Sequence, residues 1–176
     1  RRQLKRVSPG VRQSEERLRA LFDASPIGIV ISNNDGQVLY HNSRWADLIG
    51  IDEGSAEVGE IDLRRLYASD EDRERVAAQL GKTGSVRDEE IELYDYHSAL
   101  GWYLISMEYI AYEGEQAILG WFYDITERKS AEAELAATEA QLRAALEQMS
   151  GGVYMVDEDL NYLVVNDRYR ELYELP

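Results

Sequence analysis

The sequence contains no cysteine and no long apolar run. Without cysteine the chain can form no disulfide, thiolate metal site or iron–sulfur cluster, and it has no cysteine nucleophile. No segment reaches the roughly 18 apolar residues that span a bilayer, and the start shows no signal-peptide pattern. These absences predict a cytoplasmic protein with no transmembrane segment in this chain. The first residue is not Met, so we expect a piece of a longer protein.

The net charge of −15 is unevenly distributed. Residues 1–19 hold seven basic and two acidic residues, so the remaining 157 residues carry a charge of −20. An acidic body of that size is repelled by phosphates, which argues against a nucleic-acid partner. The basic start could contact an anionic surface, but a solvated helix is the simpler interpretation.

The first predicted elements are a helix, a hairpin and a second helix. An amphipathic helical pattern in residues 1–24 ends at Ser25-Pro26, because proline disfavours helix in the preceding residue. Asn34-Asp35-Gly36 lies between two apolar runs and predicts a β-hairpin, since such a turn needs positive φ. A short helix is then expected from Asn42 to Gly50.

A longer helix and three strands are predicted to follow. Ser69 caps a helix whose acidic first turn complements the positive end of the helix dipole, and Gly81 is expected to stop it. The order ββ, helices, βββ indicates an α+β fold with a five-stranded antiparallel sheet and helices inserted after the second strand. The last three strands are expected at about 85–95, 101–112 and 116–124.

A heptad pattern follows the last strand. Asp124-Ile125-Thr126 ends that strand and begins a long helix, with Thr126 as its N-cap. Small and apolar residues then recur at alternating spacings of 4 and 3, which is typical of a coiled-coil seam: Ala131, Leu135, Thr138, Leu142, Ala145 and Met149. The sequence therefore predicts a coiled-coil linker helix in a homodimer. Because the seam is short and contains Ala and Thr, the flanking domains must contribute to pairing.

The chain repeats itself without a gap after 124 residues. Helix, strand, turn, strand, asparagine and helix thus occur twice. The second copy stops before its sheet could be completed, and we interpret it as a truncated domain, although it could instead borrow surface from a neighbour. The matched pairs include Gly28 with Gly152, Asp35 with Asp159, Asn42 with Asn166, Arg44 with Arg168, Trp45 with Tyr169 and Leu48 with Leu172.

These residues resemble the PAS domain family. SPIGIVISNNDGQVLYHNSRWADLIGI is similar to the opening of a PAS domain, two strands followed by an Asn that starts the first core helix. GWFYDITERK is similar to the closing signature, an Asp-Ile-Thr that leads into the output helix. The resemblance covers about residues 18–128, and a second PAS opening begins near 142. The predicted division is an N-terminal helix over 1–24, a PAS domain over 25–125, the linker over 126–149 and a second PAS start over 150–176.

The resemblance implies a five-stranded antiparallel sheet that cups a cavity, in a module upstream of a histidine kinase, a nucleotide cyclase or a similar output. We therefore expect a sensory module, of two-component or similar type, that dimerises and relays a signal to an effector domain in the same chain. Asp124, Ile125 and Thr126 are expected to couple the sheet to the linker helix. The alternative is a ligand-free dimerisation spacer. A small enzyme is not expected, since the sequence shows no nucleophile–base pair, metal set or phosphate cradle.

An apolar set could line a small-molecule cavity or fill the core, and the sequence leaves both open: Ile29, Ile31, Leu39, Leu48, Leu66, Val76, Leu80, Ile91, Tyr103, Ile105 and Met107. Four further aromatic residues are expected on the outer face of the sheet, which would then need cover from the N-terminal helix or a second subunit: Trp102, Tyr109, Trp121 and Tyr123.

No cofactor is predicted. Haem-binding PAS domains take a histidine from the long core helix, which here has none, and the only histidines are His41 and His97. Flavin photochemistry of the PAS type needs a cysteine, which is absent. Non-covalent flavin could stack on the three tryptophans, but aromatic residues are commoner in a core.

Overall fold

The structure is a computed structural model that describes residues 17, 20–51 and 59–174. Most of the predicted helix over 1–24 lies outside the described residues, and residues 20–23 are helical. The chain forms two compact units, Arg1–Thr126 and Glu127–Pro176.

The first unit has the predicted α+β architecture. Two helices, α1 (Ser43–Leu48) and α2 (Asp70–Thr83), follow the second strand, with a 3-10 helix at Leu63–Arg65 between them. Five strands pair antiparallel in the order β2-β1-β5-β4-β3. They are β1 (Gly28–Ser32), β2 (Val38–His41), β3 (Ser85–Tyr94), β4 (Leu100–Tyr112) and β5 (Glu115–Asp124).

Helix α2 runs further than the sequence predicted. Gly81 lies inside the helix, which ends at Thr83 with Gly84 in the left-handed conformation, φ 78°. A glycine takes this conformation without a Cβ clash, so Gly84 supplies the stop that was assigned to Gly81. The start is as predicted, since the Ser69 hydroxyl accepts a hydrogen bond from the Asp72 backbone N–H at 3.3 Å.

The inner face of the sheet packs against α1 and α2 and forms the core. Side chains alternate along β4, so Tyr103, Ile105 and Met107 lie on the inner face and Trp102 on the outer face. Tyr109 shares the inward phase and packs against the core. The expectation that Tyr109 lies outside is therefore wrong, while the β4–β5 register places Trp121 and Tyr123 on the outer face.

The second unit contains the linker helix and a hairpin followed by a short helix. Its elements are α3 (Thr126–Glu147, whose first residue belongs to the first unit), β6 (Tyr154–Val156), β7 (Tyr162–Val165) and α4 (Asp167–Tyr173). Strands β6 and β7 pair antiparallel, with a register shift at Met155/Val156. The β1–β2 hairpin has the same shift at Ile31/Ser32, 124 residues earlier.

One asparagine organises the opening of the first unit. The Asn42 Oδ1 atom accepts hydrogen bonds from the backbone N–H groups of Ile29 (2.8 Å) and Trp45 (2.9 Å). Its Nδ2 atom donates to the carbonyls of Phe22 (2.8 Å) and Ile27 (3.0 Å). All side-chain hydrogen-bonding capacity of this buried amide is thereby used to join β1, α1 and the segment ahead of β1.

Asn166 makes the same four bonds in the second unit. Its Oδ1 atom accepts from the N–H groups of Val153 (2.8 Å) and Tyr169 (3.0 Å). Its Nδ2 atom donates to the carbonyls of Leu146 and Gly151, both at 3.0 Å. Each partner lies 124 residues after its counterpart, so the repeat seen in the sequence is confirmed at the level of individual hydrogen bonds.

The hairpin turns repeat as well, but with different residues. The Asn33 Oδ1 atom accepts from the N–H groups of Asp35 (3.0 Å) and Gln37 (2.9 Å). Asp157 holds the equivalent turn through Asp159 (3.0 Å) and Asn161 (2.8 Å). The turn therefore needs only an acceptor, whereas the asparagine site also needs two donors.

This difference predicts opposite outcomes for one chemical change. Asn42→Asp keeps the acceptor but places a carboxylate oxygen against two carbonyls, so we expect the free energy of unfolding to fall by about 2–3 kcal/mol. Asn33→Asp is the matched control and should change it by less than about 0.5 kcal/mol, since an aspartate already serves in the second copy. Urea denaturation measures both, and equal effects would contradict this account.

Candidate functional site

The first unit contains a partly open cavity of about 240 Å³ between the inner face of the sheet, the 3-10 helix and α2. Four of the residues predicted for a cavity line it: Leu66, Val76, Leu80 and Met107. The apolar wall also includes residues that the sequence analysis did not select: Val30, Leu63, Ala77, Leu93, Ile118 and Phe122.

The other seven predicted cavity residues lie elsewhere. Val30 and its partner Gly120 on β5 both line the cavity. Successive residues of a strand point to opposite faces, so Ile29 and Ile31 lie on the other face of the sheet. Leu39 is 40% exposed. Leu48 packs on Gly28, where an added Cβ would approach its Cδ1 atom to 2.8 Å. The remaining three are buried in the core without reaching the cavity: Ile91, Tyr103 and Ile105.

The charged side chains at the cavity are largely neutralised by the protein itself. Arg64 donates from Nε and Nη2 to the two carboxylate oxygens of Asp62, both at 2.9 Å. These hydrogen bonds hold the pKa of Asp62 below its usual value. Arg73 pairs with Asp70 at 3.2 Å. The two parallel hydrogen bonds between Arg64 and Asp62 are the strongest of these contacts. They engage most of the Arg64 guanidinium within the protein.

Two hydroxyl groups belong to the cavity wall. Ser32 is 2% exposed, and its hydroxyl has no hydrogen-bond partner among the described residues. Tyr67, on the segment after the 3-10 helix, also lines the cavity, and burial raises the pKa of its phenol to about 12. Both groups remain uncharged at neutral pH, so the interior of the cavity offers hydrogen bonds without charge.

The strand-to-helix junction is held by hydrogen bonds to β4. The Ile125 N–H donates to the Trp102 carbonyl (2.9 Å), and the Trp102 N–H donates to Thr126 Oγ1 (2.9 Å). The Asp124 carboxylate accepts from the Thr126 N–H at 2.8 Å. Thr126 is the first residue of the helix and not its N-cap as predicted, and the Asp124 side chain satisfies the Thr126 N–H. Ile125 is buried between them.

The predicted coiled-coil seam is unburied in the single chain. Leu135 is 61% exposed, Leu142 is 60% exposed and Met149 is 48% exposed. The small residues Thr138 and Ala145 are also exposed. Helix α3 ends at Glu147, so Met149 lies two residues beyond it.

The residues considered for cofactors do not meet at the cavity. The His41 ring lies 5.4 Å from the ring of Trp45, and His97 lies against Gly50. Trp45 is fully buried in the core, and none of the three tryptophans lines the cavity. Among the described residues no group of three or more His, Asp or Glu side chains could hold a metal ion, and no helix is long and apolar enough to cross a membrane.

The sequence profile of the PAS domain matches residues 16–81 and 140–176, more than half of the chain. The two matches are also offset by 124 residues, as the hydrogen bonds of the two units are. The chain belongs to the PAS domain family. The first five-stranded unit is thus a PAS fold, and the second unit repeats the opening elements of that fold.

The similar proteins agree with this assignment. The chain is 27% identical over 126 residues to the sensor protein TdiS of Thauera aromatica, which covers 68% of this chain and 23% of that protein. The chain thus spans about a quarter of the length of this curated relative. A PAS domain from an HTR-like protein of Haloarcula marismortui is 26% identical, with a TM-score of 0.53, and covers 66% of this chain and 95% of that domain.

A PAS domain from Colwellia psychrerythraea is 22% identical, with a TM-score of 0.56 over 65% of this chain and 98% of that domain. At this identity the likeness shows the fold alone. Together the comparisons show a PAS domain of the kind found in sensor and signal-transduction proteins. PAS domains are typically non-catalytic sensory modules.

The raised pKa of Tyr67 predicts a loss of stability at alkaline pH. In the unfolded chain a tyrosine ionises near pH 10, but burial raises the pKa of Tyr67 to about 12. The folded state therefore holds its proton more tightly, and the free energy of unfolding should fall as pH rises from 10 towards 12. Tyr67→Phe should make this decline shallower, with the remainder carried by Tyr103, whose pKa is also raised to about 12 by burial.

Urea denaturation at pH 8 and pH 11 measures this difference. The control is Tyr96→Phe, since Tyr96 is exposed. If Tyr67→Phe and the parent protein lose the same free energy of unfolding between the two pH values, the phenol is not held protonated by the fold.

Proposed function

We propose that this chain is a sensory relay module that dimerises and passes a signal along α3 to an output domain, of histidine kinase or nucleotide cyclase type, further along the same protein. The Thauera relative is a sensor protein, which supports a sensory function for this chain. The cavity in the PAS fold is the proposed sensing site. Cytoplasmic location remains a prediction from the sequence.

The strand-to-helix junction is the observation that carries the relay proposal. Strand β5 supplies Ile118, Gly120 and Phe122 to the cavity wall, and a single residue, Ile125, separates its end from α3. Thr126 is both the first residue of α3 and a hydrogen-bond partner of β4. A change of the cavity that shifts β5 relative to β4 therefore acts on the first turn of α3.

The missing cysteines allow a direct test of the relay. Leu135→Cys introduces a single thiol on α3, which can form a disulfide with the same residue of the second subunit. The rate of this oxidative crosslinking depends on how closely the two α3 helices approach at residue 135 in a dimer. Thr126→Val removes the acceptor for Trp102 N–H with little change in shape, and we expect it to change that rate several-fold. Thr126→Ser keeps the hydroxyl and should restore the parental rate. Unchanged crosslinking in Thr126→Val, with the sheet intact by circular dichroism, would refute relay through this junction.

Dimerisation through the seam is tested separately. Leu135→Asp places a charge at a heptad core position and should raise the dimer dissociation constant at least ten-fold, because a buried unpaired carboxylate is costly. Ala140→Asp adds the same charge at the exposed position farthest from the seam and should leave dimerisation unchanged. Sedimentation velocity measures both variants. Equal dimerisation in the two would show that the seam does not pair.

The alternative of a ligand-free spacer is distinguished by the contents of the cavity. Native mass spectrometry of the purified protein should show a bound small molecule, or binding of an added one, if the domain senses. A bare dimer whose crosslinking rate responds to no added molecule would favour the spacer.

A further inference from the structure

The charge around the cavity disfavours an ionic ligand. Arg64 and Arg73 already pair with Asp62 and Asp70, so neither is a free anion receptor. Glu74 lies exposed at the rim and adds negative charge to a chain of net charge −15. An anionic ligand would be repelled at the rim and would find no free cation to replace its water inside. A cationic ligand would lose its water among apolar side chains, because the only carboxylate of the lining, Glu74, is exposed at the rim.

The Ser32 hydroxyl is the one polar group on the strand wall that the fold does not use. It is 2% exposed, lines the cavity and has no hydrogen-bond partner among the described residues. A hydroxyl on a cavity wall can bond to a water or to a polar group of a ligand, so Ser32 is available to a molecule that enters the cavity. The hairpin itself does not require it, because Val156 stands at the equivalent position of the second copy.

The volume limits the ligand to a small molecule. The cavity volume of about 240 Å³ lies just below the usual range of small-molecule pockets, about 300–1,000 Å³. The wall around this space is formed by aliphatic and aromatic side chains, including Val30, Val76, Met107 and Phe122. Tyr67, whose phenol is protonated at neutral pH, is a second neutral polar residue of the lining.

We propose that this cavity takes a small uncharged molecule with an apolar body and a single hydroxyl or carbonyl group that hydrogen-bonds to Ser32. The proposal rests on the sensory function proposed above and names the ligand class of that site. The apolar body displaces poorly bound water from the wall, and the polar group satisfies the buried serine.

Three probes of matched size and different charge test this class. They are cyclohexylmethanol, the cyclohexylmethylammonium ion and the cyclohexanecarboxylate ion, each titrated into the ¹⁵N-labelled chain at pH 7. We expect cyclohexylmethanol to shift the amide signals of Val30, Val76 and Met107 saturably, and both ions to bind at least ten-fold more weakly. Equal or tighter binding of either ion at these residues overturns the proposed class, and so does the absence of saturable shifts with the alcohol.

Two sets of variants locate the binding. Ser32→Ala should weaken cyclohexylmethanol binding about five-fold, which is the size expected for one hydrogen bond. Ala77→Trp fills the rim on α2 and should abolish binding, while Ala78→Trp, on the exposed surface beside it, should not. Both alanines are exposed, so the folded state tolerates either change. Unchanged binding in both Ser32→Ala and Ala77→Trp would place the probe outside this cavity.

The crosslinking assay separates the failure of this inference from the failure of the proposed function. If the alcohol binds at Ser32 but leaves the Leu135→Cys crosslinking rate unchanged, the ligand class stands and the relay does not. If the ammonium probe binds and changes the rate, the relay stands and the uncharged class is wrong.

Discussion

The position of β5 between β1 and β4 is the constraint on which the rest of the first unit depends. Its ladder to β4 runs from Tyr112↔Glu115 to Tyr103↔Asp124, and its ladder to β1 covers all five residues of that strand. The last strand in sequence is thus the middle strand of the sheet. A middle strand cannot move without disturbing two ladders, so any displacement of β5 also affects β1 and β4.

The same strand makes room for the cavity. Gly120 has no side chain, and an added Cβ would lie 2.9 Å from the Phe122 ring and 3.2 Å from Val30. Both neighbours line the cavity, so the missing Cβ is part of the space between them. Strand β5 therefore borders the cavity at Gly120 and leads to the junction at Thr126, which hydrogen bonds hold to β4.

The sequence predicted the architecture better than the site. The Asn34-Asp35-Gly36 turn, the Ser69 cap and the repeat each depend on local chemistry, so the order of elements followed from them. The cavity depends on strand phase, and the continuous apolar run of β1 has no alternation from which phase could be inferred. Its pairing with Gly120 settles the phase, and Val30 and Ser32 face the cavity instead of Ile29 and Ile31. Whether a hydroxyl such as that of Ser32 has a hydrogen-bond partner depends on the fold, so it could not be predicted from the sequence.

The two copies of the repeat show which features of this opening are structural and which are free to vary. Asn42 and Asn166 make the same four side-chain hydrogen bonds, and every partner in these bonds is a backbone N–H or carbonyl group.

The core positions differ instead. Four residues that are buried in the first copy, Val30, Val38, Trp45 and Ile49, correspond to four tyrosines in the second. Tyr154, Tyr162, Tyr169 and Tyr173 contact one another ring to ring, with centroids 4.6–5.9 Å apart. Because the asparagine bonds only to backbone groups, three aliphatic residues and a tryptophan can be replaced by four tyrosines without altering the hairpin. Three of these tyrosines are more than half exposed, so the second hairpin forms without a buried core at positions that the first copy buries. The formation of this motif therefore depends on the asparagine bonds more than on the side chains that surround it.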